Sequence, residues 1–134
     1  MKPLVQPRDT ELFVVDYLGP LLTDATVGVS VPTGWLPTDT PHLQVVSDGD
    51  PSGIWPIATR CTIRLIARAG STSEAKDLCG LALGYLCAHN GDTDISSTRY
   101  LTGVLPARDP ETDAELASAT VRVTVRTEPI DTGS

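Results

Sequence analysis

The chain has 134 residues, 40% of them hydrophobic, the size of one ordinary domain that buries a single core without staples. Its formal net charge of -7 and pI near 4.6 argue against a surface that binds nucleic acid by neutralising phosphates, and favour solubility and protein partners. The N-terminal Met1 to Asp9 lacks the apolar core of a signal peptide, and no apolar run is long enough to span a bilayer. A soluble, cytosol-made protein with no membrane partner is expected.

Asp9 or Thr10 can cap a first helix with Glu11 in its first turn, and Val14, Tyr17, Leu18 and Leu21 then share one helical stripe. Gly19-Pro20 kinks or ends it. Two short strands follow, Thr26 to Val31 with Val27, Val29 and Val31 on one side, and His42 to Ser47. The Pro- and Gly-rich loop between them carries Trp35, whose bulk dominates any interface it enters. Packing over the sheet edge is preferred to a subunit contact. Ser47 to Gly53 is a turn cluster, and the apolar Ile54-Trp55-Pro56-Ile57 after it invites a partner.

Arg60 to Arg68 alternates as a half-buried strand. Cys61, Ile63, Leu65 and Ala67 point to one face, and Arg60, Thr62, Arg64, Ile66 and Arg68 to the other. Ser71-x-x-Glu74 reads as a capping box that opens a second helix with Ala75, Leu78, Cys79, Ala82 and Leu86 on one face, ended by Asn90-Gly91. Ile95 to Leu105 is a further strand. An acidic turn from Ala107 to Glu115 joins it, as a long hairpin, to a last strand from Ala119 to Thr127 with Val121, Val123 and Val125 inward and Arg122 and Arg126 outward. The expected architecture is one α/β (α+β) domain over residues 1–128: a mixed, mainly antiparallel sheet of about four to five strands with two helices packed on one face. Residues from Glu128 on read as unstructured, with 129–134 as a flexible tail.

The residues offer little chemistry. Cys61, Cys79 and Cys87 have neither Cys-x-x-Cys spacing nor companion histidines, and read as buried apolar thiols; Cys79 and Cys87 stand roughly 12 Å apart along one helix, too far for a disulfide. Asp48-Gly-Asp50-Pro-Ser52-Gly53 starts like a calcium loop, but Thr59 stands where the bidentate Glu belongs. His42 and His89 lack a nucleophile context, the acids of the turns are solvated, and there is no Gly-rich phosphate loop. No catalytic, cofactor-binding or metal site is expected, and the chain is read as a non-enzyme.

Two features call for a partner. Gly80 and Gly84 lie a turn apart in the second helix, opposite its core stripe, and each costs about 1 kcal/mol against Ala; close approach of another backbone would compensate, and tolerated glycines under a loop are the alternative. Arg60, Arg64, Arg68, Arg122 and Arg126 form an arginine stripe on the open sheet face, where either acids of the same surface or the acidic turns of a neighbouring copy, such as Asp109 and Glu111, can dock.

Thr10-Glu-Leu-Phe-Val-Val-Asp-Tyr-Leu18, Val29-x-Val-Pro-x-Gly-Trp35, the strand-then-helix Arg60 to Cys87, and Asp109-Pro-Glu-Thr before the terminal valine strand together resemble tail terminator proteins of long-tailed (siphovirus-type) phages infecting actinobacteria. The likeness spans nearly the whole chain. It implies a protomer that assembles into a homo-hexameric ring, caps the tail tube, halts polymerisation of the major tail tube protein and presents a surface to the head-tail connector or neck protein. Genomic DNA would pass through the lumen without sequence-specific binding, and the protein would reside in the virion at the head-tail junction. The candidate interface residues come from this sequence alone: Trp35, Asp48, Asp50, Ile54 and Trp55 on loops, the arginines Arg64, Arg68, Arg122 and Arg126, and Gly80, Gly84, Asp109 and Glu111. Another head-tail joining protein, of the neck or tail-completion kind, is the alternative; a small ligand-binding or hydrolytic α/β enzyme is a more distant one.

Overall fold

The alternating segments of the sequence meet in one sheet because each has a single apolar face to bury. The computed structural model describes residues 4–6, 9–49, 58–89 and 95–130. In chain order these form β1 (Val5–Gln6), α1 (Thr10–Leu18), β2 (Thr26–Gly28), β3 (His42–Ser47), β4 (Ala58–Ala69), α2 (Thr72–Cys87), β5 (Ile95–Arg108), β6 (Glu115–Arg126) and β7 (Glu128–Pro129). The main sheet has five strands in the order β2-β3-β4-β6-β5. Only β2 and β3 run parallel; the other pairs are antiparallel.

Register aligns the apolar faces across the centre of the sheet. Leu43 lies opposite Ala67 and Val45 opposite Leu65, while Ile63 faces Val121 and Leu65 faces Ala119, so three strands present one continuous apolar surface. Both helices cover that surface. From α1 come the fully buried Val14 and Leu18, and from α2 come Ala75, Cys79, Ala82 and Leu86, whose mostly small side chains let the helix lie close to the strands.

The helix starts follow their caps. Asp9 accepts a hydrogen bond from the Leu12 N–H at 3.1 Å, and Ser71 accepts one from the Glu74 N–H at 3.2 Å. Between β4 and α2 the chain passes under the 32–41 loop. A Cβ on Gly70 would lie 2.7 Å from the Pro37 carbonyl oxygen, so this crossing requires glycine.

Several details depart from the sequence reading. Leu22, not Leu21, enters the core, because the chain turns just after Leu18 and carries Leu21 outward. β2 stops at Gly28, after pairing with His42, Leu43 and Gln44 of β3, and leaves Val29 exposed. α2 closes at Ala88, whose N–H bonds to the Gly84 carbonyl, before the proposed Asn90-Gly91 stop; those two residues lie outside the described ones. Cys87 is exposed rather than buried, and Glu128–Pro129 pairs with Val5–Gln6 where no structure was expected.

Candidate functional site

The open face of the sheet gathers cations as the alternation predicts. Register places Arg60 opposite Thr124, Thr62 opposite Arg122, Arg64 opposite Thr120 and Arg68 opposite Leu116, all turned away from the helices. β5 adds Arg99, directly opposite Arg122. Sequence reading missed Arg99 because β5 shifts register between Ile95 and Ser97 and again between Tyr100 and Thr102, which blurs its period of two.

Two of these arginines already hold acids of their own chain. Arg64 pairs with Asp48 at 3.2 Å on the exposed surface, and Arg68 pairs with Asp109 at 2.9 Å with both side chains only 17% exposed. Asp109 is also built into its turn. It accepts from the Glu111 N–H at 3.0 Å and from the Thr112 hydroxyl at 3.1 Å, and the Glu111 amide, followed by Thr112 and Arg68, holds its carboxyl below the ordinary range. Within the protomer the Asp109 side chain is thus already engaged, by Arg68 and by its own turn. Glu111 contributes its backbone to the same turn, and its side chain is exposed. Arg60 and Arg126 are engaged as well. By contrast, Arg99 and Arg122 have no acidic partner among the described residues.

His42 is 2% exposed at the start of β3. Its Nε2 lies 2.8 Å from the Ser30 carbonyl, which only accepts, so Nε2 carries the proton and Nδ1 accepts from the Thr26 hydroxyl at 2.7 Å. Burial lowers its pKa, the Ser30 carbonyl offsets this in part, and the nearby Arg68 charge lowers it further. Both ring nitrogens are thus committed to holding β2 and its following loop onto β3.

The helical side presents a different surface. An open cleft of about 370 Å³ lies between the segment after α1 and the first half of α2, with Leu21, Leu22, Leu78 and Leu81 among its apolar walls and Asp24, Glu74 and Asp77 at its polar edge. Gly84 continues the exposed stripe of α2 beyond Asp77 and Leu81, and a Cβ there would meet nothing within 4 Å. Gly80, one turn earlier, lies nearer β5. A Cβ on it would lie 4.0 Å from Val104 of β5, so the two glycines do not form one bare face as the sequence suggested.

Trp35 is 7% exposed, its indole N–H donating to the Thr40 carbonyl at 2.9 Å, so within the protomer it packs into its own loop and is not a free anchor. Asp50, Ile54 and Trp55 lie outside the described residues. Among the described residues no three His, Cys, Asp or Glu side chains come together as a metal site, and no helix is long and apolar enough to cross a membrane. Compared with known protein families and with curated proteins, the chain matches none of them.

Proposed function

We propose that the protein is a phage tail terminator, a subunit of a ring that caps the tail tube, stops its polymerisation and joins the tail to the head connector. The reading is carried by the likeness of order and local pattern across nearly the whole chain. Its segments fall on α1, on the loop between β2 and β3, on β4 with α2, and on the turn between β5 and β6. The protomer geometry is compatible with such a role: one sheet face carries Arg99 and Arg122, which have no acidic partner among the described residues, and the helical side carries an acidic-edged apolar cleft. Both surfaces suit protein partners. In an acidic chain, a ring lumen that repels phosphate lets DNA pass without adhering.

The test is tube growth. Purified protein added to polymerising tube protein of the same phage is expected to halt elongation and to appear as rings on tube ends in negative stain. Tubes that lengthen unchanged in the presence of well-formed rings would favour a neck or tail-completion role instead.

A further inference from the structure

We infer that copies of this chain join head to tail, the acidic cleft on the helical side of one copy receiving the open arginine face of the next; this rests on the ring reading above. Charge is the first ground. Asp24, Glu74 and Asp77 edge the cleft without a cationic partner among the described residues, and on the far side of the sheet Arg99 and Arg122 stand opposite each other without an acidic one. Like charges placed directly across a strand pair destabilise it, and an incoming carboxylate relieves that repulsion.

Apolar surface is the second. Leu81 is 51% exposed and Leu21 37%, both lining the cleft. On the arginine face the matching group is Leu105, 58% exposed and opposite the outward-facing Ser118. Its neighbour Val104 packs inward near Gly80, so alternation along β5 directs Leu105 out. An exposed leucine on the same sheet face as the two arginines, further along β5, suits an apolar cleft edged by carboxylates, and the bare Gly84 leaves the α2 surface flat where the next subunit would lie.

Symmetry is the third ground. One sign of charge predominates on each surface, arginines over Asp48 and Asp109 on the open face and acids over Lys76 on the helical side, so pairing a surface with its own copy brings like charges together and the unlike surfaces match better. Such a heterologous contact has its two halves on opposite sides of the protomer and generates a ring when its rotation closes.

The experiment uses two double variants of the full chain. Glu74→Lys with Asp77→Lys makes both surfaces basic, and Arg99→Glu with Arg122→Glu makes both acidic. Native mass spectrometry should show rings for the wild type, at least a tenfold weakening of assembly for either variant alone, and rings again when the two are mixed in equal amounts. Each variant can then dock only on the other. Thermal melts of the separate variants check folding, and recovery on mixing excludes a folding defect as the cause. Wild-type rings accompanied by variants that assemble normally alone, or that stay apart when mixed, would overturn the docking while leaving the ring reading intact. A wild type that remains monomeric alone and with tube ends would overturn both.

Discussion

His42 shows what a sequence discloses about one residue and what it conceals. Its place after Pro41 marks the start of a strand, yet its partners, the Thr26 hydroxyl and the Ser30 carbonyl, come from the neighbouring strand and the loop after it, which local pattern cannot reveal. The imidazole is buried neutral, and burial foremost, with the Arg68 charge, keeps its folded pKa below the ordinary value of about 6.5. On acidification the unfolded chain therefore takes up the proton first. Stability held by neutral His42 is full above about pH 6.5 and is lost as pH falls towards the folded pKa. The urea midpoint should accordingly drop between about pH 7.5 and 5.5. In His42→Leu that drop should flatten, at a cost near neutral pH of about 1–3 kcal/mol for the two hydrogen bonds lost, to Thr26 and Ser30. Asp109 and Glu115, whose carboxyl pKa values are depressed, lose their contributions only at lower pH, so they do not mask the effect. An unchanged slope in the variant would assign it to another group.

At the scale of elements, legibility followed periodicity and capping. β3 was read at its true limits, β4 two residues short at its start and one at its end, and α2 began where Ser71 caps it, because these segments combine strict alternation or an apolar stripe with a clear start signal. The β1–β7 pairing was invisible, since two residues per strand show no period and the register Val5 to Pro129 joins the two ends of the chain. Face was readable but partner was not: alternation put Arg68 on the open face, yet nothing local announces that Asp109 reaches it. Likewise the sequence grouped Gly80 with Gly84, whereas the sheet beneath α2 separates them, one towards Val104 and one towards solvent. Since a Cβ at Gly84 meets no neighbour, Gly84→Ala should stabilise the isolated protomer by about 1 kcal/mol through helix propensity alone. Gly84→Trp should leave the protomer folded but obstruct a subunit seated on α2, which sedimentation at increasing concentration would detect. Normal assembly of Gly84→Trp would free this part of α2 from any contact.

For the whole molecule, the net charge of -7 conceals a division between the two sides of the sheet. Cations collect on the open face, while α1, α2 and the segment between α1 and β2 expose Asp16, Asp24, Glu74 and Asp77 with Lys76 among them. A protomer so divided has a direction, and if copies dock as proposed above, stacking would remove from solvent arginines that could otherwise hold a phosphate backbone. Assembly that involves only folded protomers must also raise their apparent stability by mass action. The wild-type melting temperature should therefore climb with protein concentration at low salt. It should climb less in high salt, because contacts between charges near the rim are screened over roughly 8 Å at physiological ionic strength, while the Leu105 and Leu81 component persists. Arg99→Glu with Arg122→Glu should melt at a temperature independent of concentration, close to that of the dilute wild type. Calorimetry over a hundredfold concentration range decides this, and a wild-type transition that does not move with concentration would mean that the divided surface serves something other than its own copies.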